Sequence, residues 1–583
     1  MAKYICKVCN IGFENEEYNL TNDNSKCILH CKKNTWCTII SGKKEWDNKK
    51  VSLFWIEVRK RIINYRYSDA WKEGFFLNLG KSIFPIFEDK NIDYDVNRLG
   101  IVENSTWHHN FFDKSSNEND DYSLDISIDF DGSIFLDNAD FDNYKCRNTI
   151  LFENVIFEGE ISFYNSSFEK ISFNNSIFNS VAYFFDCTLS LIRDKHFNNT
   201  IFNDNVQFDN VNFGVKNSDE STKNQVFLLH TEFYGRVHFN NCNFFNKLTI
   251  EDVKNTDFIT IDNSSFKNLR INSELNKLNI FCREDKKVIH NLNISNKKID
   301  KLLIKNYTIK KRFIFNNINK INNISFSELI FNEKVEMKNC NINNLVLLNT
   351  SFTKTVDFFQ TLFNITNFNK TNFEEVVVFE NTIFNEDVDF KFTSFSKLGM
   401  FKKAIFKKSL NLEDSIIQGE MNFLKVYTNV KNRETARIIK YQFEKIGNKI
   451  EANKYHTLEL EQKRIELEKD KSSDWKEKLI FDVHNLSSNH STNWFRALIL
   501  IFFIGCLTIL FVHFGIVKDL FFNPSNFKID YIFKAWNELW QFIYIGYMDD
   551  KLKDNSLTFL FNKISLGYLY YQFLISVRKD TRK

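Results

Sequence analysis

The sequence predicts a mainly β fold built as a solenoid, in which short strands stack coil upon coil. Between about Val356 and Phe423 a bulky residue, usually Phe, returns every five or six positions, and the residue two before it alternates between aliphatic and small. This period matches neither the 3.6-residue repeat of a helix nor the two-residue repeat of an ordinary strand. The repeat also accounts for the large share of Phe, 64 of 583 residues. A fixed period of this kind is typical of stacked structural repeats.

The repeat units share the pattern aliphatic-x-bulky-x-x-small-x-bulky. The units are Ile161-x-Phe163-x-x-Ser166-x-Phe168, Ile171-x-Phe173-x-x-Ser176-x-Phe178, Val206-x-Phe208-x-x-Val211-x-Phe213, Val237-x-Phe239-x-x-Cys242-x-Phe244, Val356-x-Phe358-x-x-Thr361-x-Phe363, Val377-x-Phe379-x-x-Thr382-x-Phe384, Val388-x-Phe390-x-x-Thr393-x-Phe395, Gly399-x-Phe401-x-x-Ala404-x-Phe406 and Leu410-x-Leu412-x-x-Ser415-x-Ile417. With Ser166-Ser167-Phe168-Glu169-Lys170 and Thr371-Asn372-Phe373-Glu374-Glu375, they resemble the pentapeptide-repeat family. The resemblance implies a right-handed quadrilateral β-helix whose central Phe, and the residue two before it, point inward.

We expect the β-helix to cover residues 121–426. Stacked Phe rings bury a large apolar area, and a small residue beside each ring leaves room for it. At an interstrand spacing of ~4.8 Å, roughly 10–13 turns make a rod of ~50–60 Å. Segments 214–226 and 270–325 lose the period, so we expect irregular coils or insertions there.

A basic run falls in the second irregular segment. Its residues are Lys297, Lys298, Lys301, Lys305, Lys310, Lys311 and Arg312. Such a run is usually a solvated face, and a patch for acidic partners is the alternative. The formal net charge of +3 is small, and the charges of residues 151–425 nearly cancel. A nucleic-acid partner is therefore not expected.

Residues 1–45 are predicted to form a zinc-binding knuckle, because two close pairs of Cys or His residues are separated by a loop. The ligand candidates are Cys6, Cys9, Cys27 and Cys31, with His30 as the alternative to Cys31 and Cys37 as a further nearby thiol. Each pair can hold one edge of a tetrahedron. So short a segment needs such a staple to fold, so we expect structural Zn²⁺. The other cysteines, several at inward repeat positions, suit reduced thiols in a cytosolic core.

Two segments flank the predicted solenoid. Residues 46–120 are expected to be helical or irregular, with a helix over about 50–65 against the knuckle and His108-His109 on a surface loop. Residues 430–490 are expected to form a helical hairpin, because Ala436, Ile439 and Phe443 follow helical spacing. We expect this hairpin to cap the open end of the β-helix, with a partner helix as the alternative.

Residues 494–583 are predicted to be a membrane domain. The stretch 497–517 is nearly all apolar and long enough to cross a hydrocarbon core of ~30 Å. A second candidate, 557–577, carries a few polar residues. Basic residues lie outside both stretches, namely Arg496 before the first and Arg578, Lys579, Arg582 and Lys583 after the second. This pattern predicts an integral protein of a bacterial-type cytoplasmic (inner) membrane, with both termini in the cytoplasm.

The segment 531–548, between the two stretches, is predicted to be interfacial or re-entrant. It leads into Ile545-Gly546-Tyr547-Met548-Asp549, which resembles the potassium-channel filter motif Val-Gly-Tyr-Gly-Asp, and the order of segments resembles the two-span pore module. Met548 replaces the second glycine of that motif. Filters use backbone carbonyls in conformations that glycine adopts easily.

The sequence lacks motifs for catalysis: it has no phosphate-binding glycine loop, no Gly-x-Ser-x-Gly elbow and no His-Glu-x-x-His. We therefore expect no enzyme activity. The predicted function is a membrane-anchored scaffold that mediates protein–protein interaction on the cytosolic side. The alternative is a homo-oligomeric, ion-channel-like pore with a cytosolic pentapeptide-repeat regulatory domain.

Overall fold

The structure of the chain is a computed structural model. It describes residues 4–14, 19, 21, 23–66, 68–86, 113–114, 122–124, 126–191, 197–214, 225–254, 258–295, 299–469, 474–514, 517–518, 528–548 and 556–581. The chain divides into two compact units. The first comprises residues 1–382 and 394–397, and the second comprises residues 383–393 and 398–583.

Parallel strands form a β-solenoid of about 13 turns. Ile134-Phe135 pairs in register with Ile156-Phe157, which in turn pairs with Ile177-Phe178. Side chains that join neighbouring coils are typically 21 or 22 residues apart, as in Asn372–Ser351 and Lys397–Glu375. Like residues therefore stack on like residues along the solenoid.

The strands of the first unit belong to several sheets. One sheet contains Ile83–Phe84, Ile134–Phe135, Ile156–Phe157, Ile177–Phe178, Ile201–Phe202 and Glu232–Phe233. A second contains Ala139–Asp140, Ile161–Ser162, Ala182–Phe185, Val206–Asp209, Val237–Asn240, Phe258–Asp262, Leu275–Phe281, Ile299–Lys305, Ile321–Ser327, Asn341–Leu348 and Leu362–Asn367. A third contains Leu77–Asn78, Asp113–Lys114, Tyr122–Leu124, Ile128–Asp129, Tyr144–Leu151, Ser167–Ser172, Thr188–Leu191, Asn212–Phe213, Gln225–Leu229, Asn243–Glu251, Ser265–Asn272 and Asn291–Ile294.

Two further sheets complete the coils of the first unit. One contains Lys287–Ile289, Tyr307–Ile309, Ile330–Phe331, Ser351–Phe352, Asn372–Phe373 and Ser394–Phe395. The other contains Phe313–Ile314, Val335–Glu336, Val356–Asp357 and Val377–Val378. In the part of the chain before the coils that the structure describes lie two antiparallel hairpins and two helices. They are Tyr4–Ile5 with Gly12–Phe13, Cys37–Ile40 with Lys43–Trp46, α1 (Asn48–Arg66) and α2 (Asp69–Lys72).

The second unit holds the last strands and the C-terminal helices. Its strands are Ile383–Phe384, Val388–Asp389, Gly399–Met400, Ile405–Asn411, Ile416–Ile417, Met421–Asn422 and Tyr427–Val430. Its helices are α3 (Arg433–Lys445), α4 (Lys449–Lys469), α5 (Trp475–Ser488), α6 (Trp494–Val512), α7 (Ile529–Ile543) and α8 (Ser556–Thr581).

Columns of stacked Phe rings fill the solenoid. Phe135, Phe157, Phe178 and Phe202 form one column, with successive ring centroids 5.0, 4.8 and 4.5 Å apart and nearly parallel planes. All four side chains are buried. The prediction of regular, Phe-rich stacking is therefore confirmed.

Where the small residue of a unit carries a hydroxyl, it has a role beyond making room. The buried Ser176 hydroxyl donates to Phe152 O at 2.6 Å and accepts from Val155 N at 3.0 Å, and both partners belong to the preceding coil. Thr361 bonds Met337 O and Cys340 N in the same way. These hydroxyls satisfy backbone groups that the coil corners leave unpaired.

Asparagine occupies many left-handed corners of the coils. Asn143, Asn165, Asn175 and Asn199 all have φ between 50° and 64°, a region that Asn tolerates better than most residues. Their side chains also bond between coils: Asn165 donates to Asn143 at 2.9 Å and Asn199 to Asn175 at 3.1 Å. The abundance of Asn thus follows from corner geometry.

The expectation of irregular coils over 270–325 is wrong for the described part of that segment. Leu275–Phe281, Ile299–Lys305 and Ile321–Ser327 pair in parallel register. Their inward positions alternate as Leu and Ile, for example Leu302 and Ile304. Aliphatic residues on longer strands fill the core without the Phe period. Most of the segment 214–226, the other interruption, lies outside the described residues.

Pairing also extends further towards the N-terminus than the predicted start at residue 121. Leu77-Asn78 pairs with Ile128-Asp129, and Ile83-Phe84 pairs with Ile134-Phe135. The Phe84 ring contacts Phe54 and Trp55 of α1, which covers this end of the Phe column. The strands Leu77–Asn78 and Ile83–Phe84 are only two residues long, and they lie far along the chain from the next repeat unit. For this reason the sequence shows no repeat there. His108 and His109 lie outside the described residues.

In the second unit α3 and α4 follow the last coil. Thr435 Oγ1 accepts a hydrogen bond from Leu412 N at 2.8 Å, and Gln442 Oε1 accepts one from Met421 N at 3.0 Å. Side chains of α3 therefore satisfy backbone donors of this coil, as a cap does.

Among the described residues, α6 is the one helix with both the length and the hydropathy of a membrane span. It begins at Trp494, three residues before the predicted stretch. The second predicted stretch, 557–577, lies within α8, which is long enough but less apolar.

Candidate metal centre

The N-terminal hairpin positions the first pair of thiols. Cys6 N donates to Ile11 O, and Asn10 N donates to Cys6 O, so the chain turns tightly around Cys9. Asn10 adopts a left-handed φ of 57°, which closes the turn. This turn brings two sulfurs onto one side of the hairpin.

The second pair comes from a turn at Cys27. His30 N and Cys31 N both donate to Cys27 O at 3.0 Å, which brings the His30 ring back over the Cys27 sulfur. Cys27, His30 and Cys31 are buried. The turn directs consecutive side chains, His30 and Cys31, to different neighbours.

Cys6, Cys9, Cys27 and His30 converge and can hold a metal ion, since their ligand atoms all lie within 4.8 Å of one another. Cys9 Sγ is 3.8 Å from Cys27 Sγ, and His30 Nδ1 is 3.5 Å from Cys6 Sγ and 3.1 Å from Cys27 Sγ. A tetrahedral zinc ion with ordinary bond lengths separates two sulfurs by ~3.8 Å and a sulfur from a nitrogen by ~3.5 Å. The donor set therefore fits such an ion in spacing and in chemistry.

The fourth member of this group is His30, which the sequence left open as the alternative to Cys31. Cys31 Sγ lies instead 3.3 Å from Lys33 Nζ and 3.6 Å from Ile28 O. Cys37 is in the strand Cys37–Ile40 and is not a member of the group. His30 Nε2 is 3.4 Å from Gly80 O; an N–H at that nitrogen leaves Nδ1 as the lone-pair donor.

Arg61 of α1 is a neighbour of the sulfurs that the sequence did not single out. Its Nη2 lies 3.4 Å from Cys9 Sγ and 3.6 Å from Cys27 Sγ. The hydrogen bonds from Cys27 and Arg61 hold the pKa of Cys9 far below its ordinary value, which favours the thiolate. Three thiolates and a divalent ion carry one net negative charge, which the guanidinium balances. Helical spacing alone placed residues of α1 near the knuckle, but no motif identified Arg61.

A buried lysine supports the turn behind the cluster. Lys33 Nζ donates to Ile28 O at 2.6 Å and to Cys31 O at 2.9 Å, and it lies 4.6 Å from the centre of the Trp36 ring. Burial lowers the pKa of Lys33 to about 8. The ammonium satisfies two carbonyls at the end of the Cys27 turn, so it holds the turn closed from inside.

A polar cavity of about 380 Å³ adjoins the cluster. Cys9, His30 and Arg61 line one side, and Lys81 and Asp131 are among the residues on the other. Cys9 is the only member of the four-residue group that is not fully buried. Water and small chelators can therefore reach the centre through this cavity.

The other predicted site residues lie elsewhere. In the basic run, Lys305 pairs with Glu328 at 3.5 Å and Arg312 pairs with Glu336; Lys301, Lys310 and Lys311 are exposed. Lys297 and Lys298 lie outside the described residues.

The filter-like residues Ile545, Gly546 and Tyr547 directly follow α7. Tyr547 O accepts a hydrogen bond from Lys563 Nζ of α8 at 2.5 Å. Asp549 lies outside the described residues. The segment is thus tied to α8 within one chain.

Comparisons of this chain with protein-family models, with curated proteins and with solved structures find no match.

Proposed function

We propose that this chain is a membrane-anchored, non-catalytic scaffold whose solenoid binds protein partners. The observation that carries the membrane part of the proposal is the direction of the apolar side chains on α6, α7 and α8. Large apolar side chains of all three helices face outward, among them Phe503, Phe533 and Leu574, each more than half exposed. Lipid hydrocarbon is the surrounding that such a surface suits.

Several polar groups of these helices form hydrogen bonds with one another. Asn562 Nδ2 of α8 donates to Thr508 Oγ1 of α6 at 2.9 Å and lies 3.3 Å from Phe542 O of α7. Tyr570 OH of α8 donates to Ile543 O at 2.9 Å. A polar group without such a partner is costly in hydrocarbon, so this pairing supports membrane insertion.

The solenoid supports the scaffold part of the proposal. Its interior is occupied by stacked rings and aliphatic side chains, which leaves the outer surface for binding. That surface is held rigid by bonds between coils, such as the Asn165–Asn143 pair. We take the coil to be the right-handed quadrilateral β-helix of pentapeptide-repeat proteins. We take the metal to be structural Zn²⁺, since three thiolates and an imidazole are typical zinc ligands.

We place the protein in a bacterial-type cytoplasmic membrane, with the solenoid and both termini in the cytosol. Basic residues at the end of α8, Arg578 and Lys579, support this orientation. The reduced state of the buried repeat cysteines suits the same compartment: burial raises the pKa of Cys242 to about 12 and that of Cys340 to about 11, so both are neutral thiols.

Membrane extraction tests the anchoring. We expect the full chain to stay with membranes in alkaline carbonate and to enter solution only with detergent. Release by carbonate alone would overturn the anchor. A variant with Phe503 and Leu510 of α6, both exposed, changed to Asn should be extracted more easily than one with the buried Thr508 changed to Ser.

In-cell photocrosslinking tests the scaffold. A photoreactive amino acid at the exposed Tyr164 or Tyr234 should give discrete adducts of the same mass. The same probe at the buried Tyr307 serves as the matched control. Adducts from every position alike, or from none, would contradict a defined partner surface.

An oligomeric pore is the second candidate, and one feature of α7 favours it. This helix is too short to cross a bilayer, at ~22 Å. Its Leu539 and Ile543 nevertheless belong to one buried apolar cluster with residues of α6 and α8, among them Ile501 and Leu566. Gly505 of α6 permits the close approach, because a Cβ there would lie 2.5 Å from an Ile543 methyl. A short helix followed by Ile545-Gly546-Tyr547 between two longer helices is the arrangement of a two-span pore module.

Ion flux through purified, reconstituted protein separates the two candidates. A pore predicts flux that Gly546→Pro abolishes, because a carbonyl-lined filter depends on that backbone. Gly567→Ala of α8, whose added Cβ meets nothing closer than 3.7 Å, should leave flux intact. The scaffold predicts no flux from any of the three proteins.

A further inference from the structure

The helix before the proposed anchor, α5, has an unusual distribution of side chains. Its apolar residues face outward: Trp475, Leu479, Ile480, Val483 and Leu486 are exposed, three of them by about two thirds (68%, 66% and 70% for Trp475, Ile480 and Leu486). Their spacing of four, one, three and three residues places them on one face of the helix. The apolar face of α5 therefore has no protein against it within the described part of the chain.

Polar side chains of α5 tie the helix to other elements. Ser487 Oγ lies 3.2 Å from Tyr568 OH of α8, and Ser488 Oγ donates to Gln572 Oε1 at 2.9 Å. Lys463 of α4 forms an ion pair with Glu477 at 3.3 Å. These contacts fix the rotation of α5 about its axis, so its apolar face cannot turn inward.

The connection from α5 to α6 is equally constrained. Only residues 489–493 separate the helices, and Ser491 Oγ donates to Gln572 Oε1 at 2.7 Å while His484 Nε2 lies 2.9 Å from the same hydroxyl. Asn489, His490 and Ser491 all have left-handed φ values, from 46° to 63°. The outward apolar face of α5 is followed at once by Trp494 and Phe495 of α6, which are also exposed.

Position along α8 indicates what covers this face. α5 bonds α8 at Tyr568 and Gln572, and Gln572 is ~9 Å along the axis from Arg578, where α8 becomes basic. That transition marks the level of lipid headgroups. At ~21 Å, α5 is too short to cross a bilayer.

We propose that α5 lies in the bilayer surface as an interfacial helix, with its apolar face in lipid and its polar contacts to α4 and α8 holding it there. Trp475 is at its outer end, as is typical of residues at membrane interfaces. Exposed Lys476 lies on the same side and can reach anionic lipid phosphates. The inference rests on the proposed membrane anchoring and adds a second, lateral contact with lipid.

The test uses full-length protein labelled with 5-fluorotryptophan in nanodiscs of phosphatidylcholine and phosphatidylglycerol. Its nine Trp resonances are assigned with single Trp→Phe variants. Among these, Trp475→Phe is expected to keep the fold, because the Trp475 side chain is exposed and does not contribute to a core. Broadening is measured with a lipid nitroxide near the headgroup and with a water-soluble gadolinium chelate. Trp540 of α7, about half exposed, reports on the anchor, and Trp46 of the first unit reports on water.

We expect the lipid nitroxide to broaden Trp475 and Trp540, and gadolinium to broaden Trp46. Replacing Leu486 by Ser should reduce the lipid effect on Trp475, whereas Asn485→Ser beside it should not. Broadening of Trp475 by gadolinium alone, or by neither agent, while Trp540 responds to lipid, would overturn the inference and keep the anchor. The second of these results would mean that protein, such as another copy of the chain, covers the face. If Trp540 also fails to respond to lipid, the anchor itself is wrong.

Discussion

At the residue scale, the choice between neighbouring side chains decides the chemistry of the metal centre. His30 and Cys31 are consecutive, yet one faces three sulfurs and the other faces Lys33. Arg61 adds a cation beside two of the sulfurs. Three thiolates, one imidazole and one guanidinium together suit a divalent ion that prefers sulfur and nitrogen ligands.

Exchanging single cysteines tests this ligand set. We expect Cys27→Ser to lose bound metal, because Cys27 Sγ contacts two other members of the cluster. Cys31→Ser should keep one metal per chain, since its sulfur faces Lys33. The measurement is the metal content of purified protein by mass spectrometry. Loss of metal in Cys31→Ser with retention in His30→Gln would assign the fourth ligand to Cys31 instead.

A second residue-scale prediction concerns pH and the histidines beside α5. Burial, together with His490 and Lys579, lowers the pKa of His484 from 6.5 to about 4. The pKa of His490 and that of His456 are lowered too, mainly by burial. Below pH 6.5 the unfolded chain takes up protons that the folded chain rejects. The free energy of unfolding that depends on these histidines is therefore highest above pH 6.5 and falls as the pH drops towards about 4.

Hydrogen exchange of α5, corrected for the intrinsic effect of pH, measures this loss. We expect faster exchange at pH 5 than at pH 7, and a smaller difference in His484→Gln. His230→Gln, a change at an exposed histidine of the solenoid, is the matched control. Equal pH dependence in both variants would show that His484 does not carry the effect.

At the element scale, three kinds of contact hold neighbouring coils of the solenoid together. Rings stack in columns, Asn residues bond at left-handed corners, and a buried hydroxyl joins the backbone of one coil to the next. In two coils a thiol takes the place of the hydroxyl: Cys242 Sγ donates to Phe208 O at 3.4 Å and Cys340 Sγ to Phe315 O at 3.0 Å. The small position thus supplies a donor in several coils, whereas Val211 and Ala404 at the same position are buried and supply volume alone.

Substitutions at Ser176 test how much the hydrogen bonds of the small residue contribute to stability. Ser176→Ala leaves Phe152 O and Val155 N buried without their partner, so we expect a loss of about 2–4 kcal/mol in the free energy of unfolding. Ser176→Cys, which copies Cys242 and Cys340, should lose less than half as much. Urea unfolding followed by circular dichroism gives both values. Equal effects would mean that volume alone matters at this position.

At the scale of the whole molecule, both units bury apolar residues, but only the second contains the helices α6, α7 and α8 with large apolar side chains exposed. The first unit has an apolar interior and ends beside the metal cluster. In the second unit, α6, α7 and α8 pair their polar groups and turn apolar side chains outward. The metal and the proposed lipid contact thus concern different units.

Removal of the metal should affect the first unit alone. Ile83 N donates to Leu29 O at 2.8 Å, so the Cys27 turn is bonded to the first coil. With a strong chelator we expect faster hydrogen exchange in α1 and in Ile83–Phe84, with α6 and α8 unchanged as the internal control. Loss of metal without any change in exchange would show that the centre does not stabilise this end of the solenoid.

The sequence by itself determined the solenoid and the family of metal ligands. A Phe that returns every fifth position can be buried only by stacking coils, and two close pairs of Cys and His residues separated by a loop are typical of metal ligands. It also located α6, because a stretch as long and as nearly apolar as 497–517 can be recognised without a fold. Corner Asn residues such as Asn175 and Asn199 were visible in the composition, but their role was not.

Only the tertiary structure decided the remaining features, because each depends on contacts between residues far apart in the chain. Regular coils over Leu275–Phe281 and Ile299–Lys305 follow from strand pairing rather than from a repeated residue. His30, Arg61 and Gly80 meet through the packing of a turn, a helix and a loop. The outward apolar face of α5 exists because hydrogen bonds to Tyr568 and Gln572 fix its rotation. Periodicity reports which residues share a face, whereas the direction of that face is set by its partners.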